Sequence, residues 1–192
     1  MDYKIENEKH AYSGFLKVLK ADVTHKSVDG KKMITASREC LERGDSVAVL
    51  AYESSSDSFL FTKQFRYPSA RRESPWMLEL VAGSIDKGET EGKAARREVL
   101  EEIGYEINSL HKIVTYFPSP GGCSEQIHLF FTEVSSGQQI QSGGGKASEK
   151  EDIEIIKISK QETKRMLQNN EFNNSISLIG LQWYFLNKSQ SL

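Results

Sequence analysis

Glu98, Glu101 and Glu102 are the residues of this sequence best suited to chemistry, because their spacing sets three carboxylates on one side of a helix. At about 100° of rotation per residue, Glu98 and Glu102 stand about 40° apart, and Glu101 lies roughly 60° from Glu98 on the same side. Ala95, Val99 and Ile103 mark the neighbouring apolar stripe, so the glutamates border the buried side and are expected to be half-buried. Like charges held this close need a counter-charge. Oxygen donors with no Cys or His among them suit a hard divalent cation, Mg²⁺ or Mn²⁺, which keeps several waters and completes its shell with substrate phosphates. Arg97 can pair with Glu101 one turn on and hold the cluster through its planar fork. The plainer reading is a solvated acidic helix face, which is common. The uneven placement of charge and the glycine-containing run from Gly83 into the helix weigh against it.

The helix carrying these residues is expected to begin after Thr90, an N-cap with Glu91 in the first turn, and to end at Gly104, where a left-handed cap suits glycine. Ahead of it, residues 46–52 and 59–65 read as strands around a polar turn at 54–58, and residues 76–82 carry the chain into the motif. Beyond it, residues 105–116, 127–134 and 153–158 read as strands, and 160–170 and 175–187 as helices. Strands on both sides of a central helix, with helices at the end, indicate an α+β fold with a mixed sheet. Residues 13–43 also read as strands, with Asp29-Gly30 as a hairpin turn signal and too little apolar surface to stand alone. The chain therefore divides into a small N-terminal antiparallel β unit, 1–44, and a main domain, 45–192.

A chain of 192 residues can bury a substantial core. The net charge of −2, with Lys and Arg interspersed, gives no nucleic-acid footprint. No apolar run approaches the roughly 20 residues needed to span a bilayer, and the start, Met-Asp-Tyr-Lys-Ile-Glu, lacks the apolar core of a secretory signal. Cys40 and Cys123 form no metal spacing and read as reduced thiols of a cytoplasmic protein. His10, His25, His111 and His128 are scattered and read as structural.

Gly, five residues, Glu, seven residues, then Arg-Glu-apolar-any-Glu-Glu-any-Gly-apolar is a pattern that Gly83, Glu89, Arg97, Glu98, Val99, Glu101, Glu102, Gly104 and Tyr105 fill completely. It resembles the signature of the Nudix hydrolases, and nine specified positions across 23 residues make a chance match very improbable. The resemblance implies an α/β/α sandwich and a divalent metal held by Glu98 and Glu102, with the backbone carbonyl of Ala82 and the side chain of Glu151 as further ligands; Glu101, on the same side of the helix, reads as a further or water-mediated ligand. Residues 63–66, 79–83, 119–122, 127–130, 149–153 and 181–183 are similar to the ADP-ribose pyrophosphatase and nucleoside-diphosphate-sugar hydrolase branch. Pro120 matches a proline that marks ADP-ribose hydrolases, whereas Pro120-Gly121-Gly122 and Gly143-Gly-Gly145 look closer to GDP-mannose hydrolases. The implied substrate is ADP-ribose, with GDP-mannose or UDP-glucose as the alternative.

Arg66, just past a strand end, is the candidate phosphate clamp; a solvated surface arginine is its plainer reading. Residues 135–150, rich in Gly, Ser and Gln, are long enough to act as a lid. By the same resemblance Glu149 takes the place of a loop-borne general base, with Glu101 as its rival. Arg38, and with it Arg71 and Arg72, could contact substrate across a dimer interface, and the branch implies a homodimer with exchanged N-terminal strands. Phe61, Phe65 and Trp76 fit either a nucleobase stack or a core. A nucleotide-sugar sensor without turnover is the competing class, and the intact Arg97, Glu98, Glu101 and Glu102 speak against it.

Overall fold

The computed structural model describes residues 3–146, 148 and 150–188. Among these, no helix is long and apolar enough to cross a membrane. The described chain up to Asp45, together with Phe117–Gln126, forms one compact unit; Ser46–Tyr116 and the described residues from Ile127 on form a second.

The first unit is an antiparallel meander of β1 (Tyr3–Ser13), β2 (Lys17–Lys26) and β3 (Met33–Glu42). The β2–β3 turn falls at the expected Asp29-Gly30, where Gly30 takes a φ of +71° that glycine adopts without strain. β1 is an addition to the sequence reading. Its mostly charged run, Lys-Ile-Glu-Asn-Glu-Lys-His, hides the alternation, and register shifts after Glu6 and His10 break it further. In register, Tyr3, His25 and Ile34 form one cross-strand row, with Ile5, Val23 and Ala36 beside it on the same face; the adjacent rows, such as Lys4, Thr24 and Thr35, face the other way. The segment Phe117–Gln126 docks on the end of β3: Leu41 N–H donates to Gly122 O at 2.8 Å, and Ser124 Oγ donates to Glu42 Oε2 at 2.6 Å.

The second unit is built on a sheet of β4 (Ser46–Glu53), β5 (Ser58–Phe65), β6 (Trp76–Glu79), β7 (Val81–Ser84), β8 (His111–Tyr116), β9 (Ile127–Val134) and β10 (Glu154–Ser159). The order is β10-β5-β4-β9-β8, with β6 on β5 and β7 on β4; β4 and β9 are parallel and the other pairs antiparallel. Every residue of β4 is buried, as expected of a strand covered on both faces. Val47, Val49 and Ala51 pack with Ala95, Val99 and Ile103 of α2 (Glu91–Ile103). Ala48, Leu50 and Tyr52 turn the other way, onto Leu181 and Tyr184 of α4 (Ser175–Asn187), beside which lies α3 (Lys160–Gln168). This is the expected mixed-sheet sandwich with helices on both faces. Phe61 is fully buried and belongs to the core, while Phe65 and Trp76 are exposed and meet edge to face.

Apart from shifts of one or two residues at element ends, two features of this unit differ from the sequence reading. β8 starts only at His111, because residues 105–110 run as a loop whose Ile107 and Asn108 carbonyls accept from the Arg96 guanidinium. A short helix, α1 (Tyr67–Ala70), follows Arg66, nucleated by Pro68 at its start. Buried Glu53, at the end of β4, accepts from Tyr105 Oη at 2.5 Å, from Lys157 Nζ at 2.6 Å and from Ser56 Oγ. It thereby ties the residue that follows the Gly104 cap to the sheet.

Candidate active site

α2 forms as expected. Thr90 Oγ1 accepts from Lys93 N–H, and Gly104 closes the helix at φ +80°. The apolar stripe on the sheet turns the acidic side of the helix toward β7. Glu98 and Glu102 are 9% and 1% exposed, so they lie deeper than half-buried. Glu102 Oε2 accepts from Ala82 N–H at 3.1 Å. The Glu98 carboxylate lies over Gly83, where the absence of a side chain makes room for it.

Arg97 gathers more than the expected Glu101. Its Nη1 donates to Glu98 Oε1 at 2.6 Å and Glu101 Oε2 at 3.2 Å, its Nε and Nη2 grip Glu89 at 3.1 and 2.9 Å, and Nη2 also reaches Ser84 O at 2.9 Å. Glu101 is held from the other side by Lys146 Nζ at 3.0 Å, and Lys146 N–H donates to Glu151 Oε2 at 2.9 Å. Burial pushes the Glu102 carboxyl well above the usual carboxylate range; the Ala82 N–H opposes this, the like charges of Glu98 and Glu151 add to it, and Arg66 opposes it. Burial likewise raises Glu98 against the pull of Arg97, helped by the charges of Glu101 and Glu151. The site thus concentrates negative charge where water is scarce.

Glu151 is brought to this cluster by a stretch that sequence reading takes as a lid. Instead of hanging free, its first part is strapped to the C-terminus of α2. Gly144 N–H donates to Glu102 O at 2.9 Å, Gly145 N–H to Glu101 O at 3.0 Å, Gln141 Nε2 to Leu100 O at 2.6 Å, and Ile140 N–H to Gly104 O at 2.9 Å. The last carbonyls of a helix have no partner of their own, and here the strap supplies the donors. Gly143, Gly144 and Gly145 run through it at φ +68°, +104° and +82°.

Ala82, Arg66, Arg97, Glu98, Glu101, Glu102 and Glu151 all belong to the second unit. Arg66 directly follows β5, and its Nε donates to Glu79 Oε2 at 2.8 Å. Arg38, exposed on β3 opposite Ala21, and Pro120, in the segment docked on β3, belong to the first unit. Glu149 lies outside the described residues. Sequence reasoning missed roles for Glu79, Glu89, Ser84 and Lys146. For Glu89 the signal was present, since it is a fixed position of the motif and stands eight residues before Arg97; the other three depend on where the sheet and the strap bring distant segments.

The NUDIX domain family model matches residues 42–172. The chain is also 36% identical to the ADP-ribose pyrophosphatase of Haemophilus influenzae, over 98% of this chain and 88% of the relative. This chain belongs to the Nudix family. As a Nudix protein it is also 31% identical to the Escherichia coli (strain K12) ADP-ribose pyrophosphatase, over 95% of this chain and 87% of that one. Identity to a GDP-mannose pyrophosphatase of Shigella flexneri is 33%, over 84% of this chain and 83% of that one. Nudix hydrolases generally use a divalent metal. Among the described residues no group of three or more His, Cys, Asp or Glu side chains stands ready-made for an ion; Arg97 and Lys146 occupy Glu98 and Glu101 instead. The donors nevertheless fit one. They are oxygen-only, two are buried with like charges raising their proton affinity, and the bare backbone at Gly83 gives the Glu98 carboxylate its seat.

Proposed function

We propose that this Nudix protein hydrolyses the diphosphate linkage of a nucleoside diphosphate sugar, ADP-ribose foremost, to a nucleoside monophosphate and a sugar phosphate, with Mg²⁺ as its ion. The observation that carries this reading is the buried pair Glu98 and Glu102 set against the Ala82–Gly83 backbone, with Arg66 as the nearby cation. The ADP-ribose pyrophosphatases aligned over nearly the whole chain support the substrate class. The ligands would be Glu98, Glu102, the Ala82 carbonyl and Glu151, with Glu101 direct or through water. When bound, the ion would neutralise the paired phosphates and acidify the attacking water. Arg97 fixes the carboxylates that hold it, and Arg66 clamps a phosphate. Water adds to one phosphorus, the bridging P–O bond breaks, and the water's proton goes to a carboxylate base. Glu101 is already shared between Arg97 and Lys146, which favours Glu149 as that base; slower turnover with unchanged metal affinity in Glu149→Gln is the expected result.

Release of nucleoside monophosphate from ADP-ribose, GDP-mannose and UDP-glucose with Mg²⁺ tests the reading. Fastest release from ADP-ribose is expected; a preference for GDP-mannose, the substrate class named by the Shigella relative, would move the assignment to that sugar nucleotide. Absence of product from all three would refute hydrolysis and favour a sensor.

The partner of the first unit, in the same reading, is a second copy of the chain. Tyr3, Ile5 and Ile34 share the apolar face of its sheet and are 65%, 53% and 41% exposed, an arrangement that calls for a cover. Sedimentation should give a dimer that Ile34→Asp converts to monomer; a monomeric wild type would end this part of the proposal. Arg38 lies on that same face by register, within reach of whatever covers it. Free Cys40 and Cys123 agree with a cytoplasmic setting.

A further inference from the structure

Arg66 has its backbone fixed on both sides: its N–H donates to Pro75 O at 2.8 Å, and its carbonyl accepts from Ser69 Oγ at 3.0 Å. Its side chain is held at one edge only. The Nε donates to Glu79 Oε2 at 2.8 Å, and the Glu79 side chain is 13% exposed against 42% for Arg66. Among the described residues the two terminal nitrogens of Arg66 have no hydrogen-bond partner.

A guanidinium presents two donor edges. Fastening one to a buried carboxylate leaves the other with its fork orientation set, suited to two oxygens of a phosphate. An unfastened arginine would have to give up its rotamer freedom each time a phosphate arrived. Glu79 ends β6, opposite Thr62 of β5, and three residues later Ala82 N–H holds Glu102. One short stretch, 79–82, therefore orients both the cation that would grip the substrate and an acid that would grip the ion.

We propose that Glu79 is a positioning residue: bonded to the Nε edge of Arg66, it presents the terminal nitrogens to the diphosphate of the substrate. This rests on the hydrolase reading above for the identity of the substrate, although the phosphate-binding part can be measured without turnover. The test is a double-mutant cycle on the full chain with Glu79→Ala, Arg66→Ala and the double variant, read by calorimetric binding of ADP, by KM and kcat on ADP-ribose, and by thermal melting. Glu79→Ala should weaken ADP and raise KM about tenfold with kcat little changed, the pattern of lost uniform binding. Glu79→Gln, which still offers an oxygen to Nε, should recover most of that affinity. In the Arg66→Ala background, Glu79→Ala should cost nothing further.

An equal loss with and without Arg66, or ADP affinity unchanged in Glu79→Ala, would overturn the proposal, as would failure of the wild type to bind ADP. Should Glu79→Ala not fold, Glu79→Leu, which keeps the bulk and offers Nε no acceptor, carries the same cycle. Coupled ADP binding alongside no turnover of any sugar nucleotide would sink the hydrolase reading and leave Glu79 in its place.

Discussion

The carboxylate of Glu98 fills the space that a side chain on residue 83 would occupy: a Cβ built on Gly83 falls 2.0 Å from Glu98 Oε1 and 2.1 Å from its Cδ. Gly83→Ala must therefore push Glu98 off its seat. Turnover is expected to fall about 10²-fold, the effect of displacing a reacting group by roughly an ångström. The fold should survive, since residue 83 has ordinary backbone angles. Measured kcat in Gly83→Ala close to wild type would show that Glu98 is not needed where it stands.

Glu102 is a buried carboxylate that the protein neutralises only in part, through Ala82 N–H and the field of Arg66. Glu102→Gln keeps an oxygen for Ala82 and removes the charge. It is expected to lower turnover by on the order of 10³-fold while leaving the metal-free protein at least as stable as wild type, because an uncompensated buried charge has gone. Melting curves with and without Mn²⁺ check both halves: the ion should raise the wild-type midpoint and leave that of the variant unmoved.

Much of this site could be read from the chain alone. The helix bearing Glu98, Glu101 and Glu102 announces itself through Thr90, Gly104 and the Ala95-Val99-Ile103 stripe, all local signals within one element. The sandwich could be read because β4 is apolar from Val47 to Tyr52, β9 carries Ile127 and Leu129–Phe131, and the last helix is apolar along most of its length. The partners of Arg66 and Lys146 could not, since each pairing joins segments brought together only by the sheet or by the backbone of the strap. Glycines 143–145 were legible as flexible residues, yet flexibility in sequence says nothing of which hydrogen bonds a folded backbone will find. β1 escaped because the polar and charged run Lys4–His10, broken only by Ile5, leaves no period of two to detect.

Gly143 has φ +68°, and a Cβ there would come within 2.5 Å of Glu102 O. Gly143→Ala is expected to destabilise by about 1–3 kcal/mol, lowering the melting midpoint by roughly 2–4 °C for each kcal/mol in a chain of this size. Gly137→Ala, where a Cβ meets nothing within 4 Å, is the matched control and should melt like wild type. Calorimetric melting of the pair decides it.

Glu53 sets a pH dependence of stability. Burial raises its carboxyl, but the bonds from Lys157, Ser56 and Tyr105 outweigh that and hold it below its ordinary value of 4.5. A depressed carboxyl contributes stability that is complete above the unfolded value and disappears as pH falls through the folded one. Wild type should therefore lose stability below about pH 4.5, and Glu53→Gln should start about 1–3 kcal/mol lower at neutral pH with a flatter acid limb. Denaturant melts from pH 7 to pH 3 check this, and a parallel decline in both proteins would rule Glu53 out as the source.

The bonds from Gly144 and Gly145 to Glu102 and Glu101 make the amides of an apparent linker part of the cooperative unit of α2. Their hydrogens should exchange with solvent only as that helix frays. Trimming the glycines as surplus spacer would amount to cutting the last turn off the helix that carries the acids.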